Sequence, residues 1–361
     1  MIVLIASFII WILPHLPIKT QLEIDSIKPA IISLWHVETF EGGLSSRSDW
    51  LKKRALAFEK QHKGIYIDVS KLTYQQLINR LTEGYSFDLI SFGSGVGYSL
   101  LTYIIPYVGA INTLDSLNKG GIVDNSQYAV PYMAGGYILA ALKNNLAKIK
   151  GFNSLTANVF DCQMVKKVGK NTVKLASVSC GFSQFNSPVT ALAHNTQAQN
   201  KEGAAIFDSN ITQYGAYENF LSNNKATILL GTQRDYYRLI NREKNGRLSE
   251  VEFAVLNGYT DLIQYMSIGK TGDPLKTMYA NKFVEYVTTK EAQSTISSLY
   301  MLAATKLNTY QDTIMAAMQN NLEGVKTPNA FASTQVIEEL RRMSESCLFD
   351  GQKNLLNNYL C

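Results

Sequence analysis

The chain has 361 residues, of which 46% are hydrophobic and 17% charged. That balance excludes a disordered chain, and the length suits two domains of ordinary size. A net charge of +5 is mild over this length and, without a dense Lys/Arg stripe, argues against nucleic-acid binding.

Residues 2–13 are almost wholly apolar, and Pro14 and Pro17 break the run at its end. This run is short of the roughly 20 residues a spanning helix needs, and it fits the apolar region of an export signal. No Lys or Arg precedes it, no clear small-x-small cleavage site comes after it, and no Cys marks a lipid attachment point. The expectation is a leader or signal anchor with a polar linker over residues 1–28.

Residues 31–35 form an apolar run suited to a buried strand, followed by a polar, glycine-containing loop at 36–43. Leu51, Ala55 and Phe58 recur at helical spacing within residues 48–62, and Gly64 stops that helix. A second strand is predicted at 65–69. Thr73 with Gln76 three residues on is a capping box for the next helix. Gly84 ends it, and 87–93 reads as a third strand. Strands alternating with helices predict an α/β fold with a parallel sheet, whose ligands bind beyond the carboxyl ends of the strands. The loops at 36–43 and 93–97 lie at those ends.

Residues 128–142 read as a strand, an interruption from Pro131 to Gly136, and a second strand, the pattern of a chain crossing between two lobes. Alternating Val, Thr and Lys over 157–185 predicts hairpins, with Lys166, Lys167, Lys170 and Lys174 on a solvated face. A helix is predicted over 211–224 with Tyr214, Tyr217, Phe220 and Leu221 on one face. A strand at 225–231 comes next, then a loop at 232–235, a helix at 236–242 and a strand at 253–256. Asp273 and Pro274 open a further helix whose apolar face is Met278, Phe283, Tyr286 and Val287. Residues 289–300 predict a short helix, and the chain is mainly helical from Asp312 on.

Cys162, Cys180, Cys347 and Cys361 contain no CxxC pair, which argues against zinc and thioredoxin chemistry. In an exported chain, Cys162 with Cys180 and Cys347 with Cys361 are candidate disulfides, each worth roughly 3 kcal/mol by loop closure. Buried free thiols are the alternative. The four histidines (His15, His36, His62 and His194) are scattered, so no metal or cofactor is expected.

Five segments in order carry a family resemblance: 34–38; 87–92; 130–146, which includes Lys143-Asn144-Asn145-Leu146; 217–231; and 282–287 with Glu291-Ala292-Gln293. Across about 31–305 the chain resembles the extracellular solute-binding proteins of ABC importers, of the carbohydrate type that includes maltose-binding protein. It departs from that pattern in lacking a lipobox cysteine and in its Lys/Cys-containing segment at 157–185.

The resemblance implies a two-lobed, type II periplasmic-binding-protein-like clamp with a ligand cleft at the hinge. Lobe 1 would comprise 29–132 plus 265–310, and lobe 2 would comprise 133–264 plus 311–361. The implied protein is a non-enzymatic, exported monomer at the extracellular face of the cell membrane or in the periplasm. It would be tethered by its N-terminus or released, and would deliver a sugar or oligosaccharide to the transmembrane subunits of a permease. A sensor of the same fold and a glycoside-acting enzyme are the alternatives.

Sugars need aromatic faces for C–H surfaces and planar polar groups for paired hydroxyls, since a buried hydroxyl must be satisfied. The ligand-binding candidates at strand ends are Trp35, Glu38, Thr39 and Glu41 in the first loop, and Ser91, Gly93 and Ser94 in the third. Tyr132 is the candidate at the crossing, Gln233, Arg234 and Asp235 those in the second lobe, and Tyr259 and Asp261 those at the return crossing. Arg234 suits a carboxylate and so admits an acidic sugar. Glu38 and Glu41 share one short loop, which does not suit the opposed carboxylates of a glycosidase.

Overall fold

The computed structural model describes residues 29–146, 154–158, 165–168, 171–174, 178–196, 212–222, 228–307, 310–350 and 353–361. Its start follows from the alternation in the sequence. Strand β1 (Ala30–Val37) leads through helix α1 (Arg47–Gln61) to β2 (Ile65–Leu72), and through α2 (Tyr74–Thr82) to β3 (Leu89–Gly93). The three strands are parallel, with β1 between β2 and β3 and Leu34 opposite both Val69 and Leu89. Ser46 caps α1 by accepting from the Asp49 N–H, and α1 buries Trp50, Leu51, Ala55 and Phe58. Each such fully buried large apolar side chain stabilises by about 1.5–3 kcal/mol. The Thr73–Gln76 capping box forms at α2, which buries Leu77 and Leu81.

The chain then reaches β4 (Val130–Ala134), turns at Gly135 and Gly136, and continues as β5 (Tyr137–Leu142) in a different sheet. This second sheet is completed by β6 (Val178–Cys180), β7 (Ile228–Thr232) and β8 (Val251–Val255). Helix α3 (Pro188–Asn195) and helix α4 (Gln213–Ser222) lie between β6 and β7, and α5 (Gln233–Lys244) between β7 and β8. The strand order is β6-β7-β5-β8, with β6 and β7 parallel and β7 and β8 both antiparallel to β5.

Residues 256–262 carry the chain back to β9 (Ile263–Gly269), which enters the first sheet between β3 and β4, antiparallel to both. Helix α6 (Pro274–Val287) covers that sheet, with Phe283 edge-on to Phe58 at 5.3 Å. Strand β10 (Leu302–Ala303) pairs with β4, which gives the order β10-β4-β9-β3-β1-β2. Helix α7 (Thr313–Asn321) touches both β10 and β8, and α8 (Thr334–Asp350) packs on α3. Each sheet with its helices is a lobe, and the chain passes between the lobes at 135–136, at 256–262 and after β10.

Several expectations shift. Pro131 belongs to β4, opposite Tyr265 where the β4–β9 register slips; a residue lacking an N–H is tolerated at such an irregularity. The loop expected at 232–235 is instead the N-terminus of α5, with Thr232 as N-cap. Asp273 caps α6 as expected, but Met278 is 42% exposed rather than part of its buried face. Residues 289–300 divide into a short α-helix, Lys290–Ser294, and a 3-10 turn, Ile296–Leu299.

Val165–Val168 pairs antiparallel with Asn171–Lys174, a hairpin within the segment expected to form them. Lys170 and Cys162 lie outside the described residues, as do residues 1–28. Cys180 is a buried free thiol and Cys361 an exposed one, so neither expected disulfide is formed.

Candidate functional site

The carboxyl ends of β1 and β3 hold a buried polar network. Glu38, as a carboxylate, only accepts, so His36 donates through Nε2 to Oε1 at 3.2 Å. His36 Nδ1 then accepts from the Ser91 hydroxyl at 2.9 Å. Ser91 Oγ in turn receives the Tyr132 hydroxyl at 2.8 Å and Gln264 Nε2 at 2.9 Å. The same Gln264 nitrogen donates to the Val37 carbonyl, and its Oε1 accepts from Arg47 at 3.1 Å. Arg47 Nε and Lys71 Nζ approach the Glu38 carboxylate at 3.6 and 2.7 Å.

Burial pushes the Glu38 carboxyl up, but the His36 hydrogen bond and the Arg47 and Lys71 charges outweigh it and hold it well below the usual carboxylate range. Burial also holds His36 below 6.5, against the opposing pull of Glu38. Ser91, His36 and Glu38 have the composition of a nucleophilic triad. Ser91 and His36 are nonetheless fully buried, and every lone pair and proton of the serine hydroxyl is engaged, so this arrangement holds the ends of the strands together.

A second hub sits in the return crossing. The fully buried Asp261 accepts from the Tyr137 hydroxyl at 2.6 Å, the Tyr259 hydroxyl at 2.8 Å and the Ser187 N–H at 2.5 Å. Its main-chain carbonyl accepts from the Ser94 hydroxyl at 2.8 Å. One residue therefore ties the loop after β3 to the start of β5 and the loop before α3. Burial raises the Asp261 carboxyl and outweighs its donors.

Between the lobes, three contacts bring two loops and the start of α2 from the first lobe against elements of the second. Glu41 Oε2 lies 3.0 Å from Arg238 NH1 and 3.7 Å from Arg234 Nε, both arginines being on α5. The rings of Tyr300 and Tyr237 are 4.3 Å apart, and those of Tyr74 and Phe185 are 5.4 Å apart. Tyr300 takes a left-handed conformation at φ 51°, where a non-glycine residue is uncommon. Gly43 packs so tightly beneath it that a β-carbon there would lie 1.8 Å from the Leu299 carbonyl oxygen.

On the floor of the cleft, Tyr137, Ser183, Asn186, Gln213, Thr232 and Leu262 help to line a cavity of about 20 Å³. That is room for about one water. At the rim, an open groove of about 310 Å³ runs between α4 and α5 past Tyr214, Tyr217, Tyr237, Arg238 and Arg242.

Of the residues expected at the ligand, Glu41 and Arg234 reach the rim. Trp35 is 4% exposed, with its indole packed 5.2 Å from Phe87 in the lobe 1 core, so it has no face to offer a ligand. Glu38 is committed to His36, Arg47 and Lys71, and Ser91 and Tyr132 are sealed in the same network. Ser94, Tyr259 and Asp261 are sealed in the hinge. Asp235 caps α5 by accepting from the Thr232 N–H at 2.9 Å, and burial pushes its carboxyl up to about 6. Gln233 is fully buried and accepts from the Gly136 N–H at 3.1 Å. Thr39 is buried against Gly93, where a β-carbon would lie 2.0 Å from its hydroxyl.

Sequence reasoning did not select Arg47, Gln264, Arg238, Tyr237 or Tyr300. Arg238 had a signal: it is one helical turn beyond Arg234, and so on the same face. Tyr300 had none, since its contact with Tyr237 exists only once the lobes meet.

No protein-family model matches the chain, and no curated protein matches it in sequence. Among solved structures it is similar to the sugar-binding protein MalE from Xanthomonas citri, at 15% identity and a TM-score of 0.60, over 91% of this chain and 94% of that one. It is similar to the GacH receptor of Streptomyces glaucescens, solved unliganded and with acarbose, at 14% identity and a TM-score of 0.58, over 88% and 92%. Iron-bound HitA from Pseudomonas aeruginosa matches at 15% identity and a TM-score of 0.54, over 88% and 99%. At such identities the likeness establishes the fold: a two-lobed, type II periplasmic-binding-protein-like α/β clamp with its cleft at the hinge. Among the described residues no three His, Cys, Asp or Glu side chains gather where they would hold a metal ion. Among the same residues no helix is long and apolar enough to cross a membrane.

Proposed function

We propose that this chain is the solute-binding subunit of an ABC importer, a non-enzymatic protein that captures a sugar or oligosaccharide between its lobes for a membrane permease. The observation that carries this reading is the clamp itself: two sheets joined by three passages of chain, with an aromatic and basic rim where their loops meet. The sugar-binding and acarbose-bound structures of the same fold support the ligand class. A ligand touching both lobes binds the shut form better than the open one, so it drives closure, and the shut form is what a permease can distinguish. Here the two lobes already touch at Glu41, Tyr300 and Tyr74, so a ligand that enters between them parts those contacts.

The division proposed keeps the expected lobes, 29–132 plus 265–310 and 133–264 plus 311–361, with both crossings moved two residues so that the ends of β4 and β9 stay with the first sheet, and the protein acts as a monomer. Residues 1–28 serve for export and tethering at the outer face of the membrane or in the periplasm. The ligand candidates kept in this role are Glu41 and Arg234. The test is a thermal-shift screen of the full chain against mono- and oligosaccharides, sugar acids, polyamines and amino acids. A ligand at 100 times its dissociation constant adds about 2.7 kcal/mol of stability. A shift with one saccharide class supports the reading, and shifts only with amino acids or polyamines overturn the carbohydrate assignment.

A further inference from the structure

Glu41 reaches from the loop after β1 across to α5 and lies against two arginines, Arg234 and Arg238. The fit is poor. Its Oε2, Arg234 Nε and Arg238 NH1 are all shielded from solvent, yet none has a hydrogen bond of good geometry. A carboxylate and guanidinium groups taken out of water without well-formed hydrogen bonds recover little of their desolvation cost. The contact is therefore weak for the charges it brings together, and a better-shaped anion would displace it.

The groove beside it is ready for a ring. Tyr214 is 55% exposed, and Arg238 lies over both Tyr214 and Tyr217, at 5.9 and 5.2 Å from their centroids. Arg242 lies 5.8 Å over Tyr217 and has no ion pair among the described residues. Glu218 also lines the groove and Asp235 lies 3.6 Å from Arg238, so Arg234, Arg238 and Arg242 face two carboxylates besides Glu41. Tyrosine faces suit the C–H surfaces of a sugar, and guanidinium forks suit a carboxylate.

We infer that the ligand is an anionic saccharide, a uronate or sugar acid, whose carboxylate replaces Glu41 on Arg234 and Arg238 while its ring lies on the exposed Tyr214, Tyr217 beneath being buried. This rests on the solute-binding reading above. Glu41 then acts as an internal stand-in for the ligand's acid group on α5, occupying the arginines until a ligand exchanges with it.

The experiment is calorimetric titration of the full chain with matched pairs: trigalacturonate against galactotriose, and cellobiouronate against cellobiose. The acid member of a pair is expected to bind about tenfold or more tightly than its neutral partner. Arg238→Gln should abolish that preference, and Glu41→Gln should raise acid affinity by removing the internal competitor. Far-UV circular dichroism checks that both variants fold; should Arg238→Gln not fold, Arg234→Gln replaces it. Equal binding of acid and neutral members, or tighter binding of the neutral, overturns this inference and leaves the solute-binding reading intact. Silence toward every saccharide here and toward every ligand of the thermal screen overturns both.

Discussion

Replacing Asp261 tests whether the return crossing is held by its carboxylate. Three donors converge there, two tyrosine hydroxyls and a backbone N–H, all in a fully buried setting. Asp261→Ala removes the acceptor of all three at once. An orphaned buried donor costs about 1–3 kcal/mol, and the hydroxyls can turn to relieve part of that, so the total should fall near 3–6 kcal/mol. Set against the usual 5–15 kcal/mol of a folded protein, that is a large share of the stability. Asp261→Asn keeps the shape and one oxygen, and should cost about 1–2 kcal/mol. Urea unfolding followed by circular dichroism measures both through the shift in midpoint at constant slope. Tyr137→Phe and Tyr259→Phe should each cost about 1 kcal/mol, and each should cost almost nothing further in the Asp261→Ala background. An alanine variant within about 1 kcal/mol of wild type would refute the hub.

Trp35→Ala should lower stability by about 3–5 kcal/mol while leaving saccharide affinity of the folded protein unchanged; a tenfold loss of affinity in calorimetry would return Trp35 to the ligand site. His194 is held down to about 4 by burial, with Lys326 and Lys353 adding to the effect. A folded value below the ordinary 6.5 means that His194 contributes stability above pH 6.5 that is lost as pH falls towards 4. The amount is about 3 kcal/mol at most. Asp235, raised to about 6, runs the opposite way, its contribution being lost as pH rises through 6. The measurement is therefore the difference between wild type and His194→Gln across pH 4–7, which should shrink as the pH is lowered. A difference that is flat with pH would remove His194 as a titrating group.

The local elements were legible because each depends on nearby residues. Thr73 and Gln76 sit three apart and cap α2, and Asp273 with Pro274 opens α6. The alternation of apolar runs with helical spacing from 31 to 93 gave three parallel strands. One expectation moved because a neighbour distant in sequence decided the outcome, and another because a local signal was passed over. Pro131 stays in β4 because β9, more than a hundred residues later, slips register opposite it. Residues 232–235 start a helix because Thr232 and Asp235 exchange hydrogen bonds, a second capping box whose signal was present in the sequence.

The site was the least legible part, for a physical reason. A sequence shows which side chains are polar and near strand ends, but not whether their polar atoms are already satisfied. Glu38, Ser91 and Tyr132 looked available to a ligand, and tertiary structure closes them around His36, Gln264 and Arg47. Asp261 looked like a ligand acceptor and is saturated by two tyrosines and a backbone N–H. The sequence by itself determined the α/β alternation, the caps and the apolar faces, since these follow from spacing along the chain. Only the folded chain decided which charges meet across the cleft. Glu41 and the α5 arginines are almost two hundred residues apart, and their proximity comes from the three passages of chain that place one sheet's loops against the other's helix.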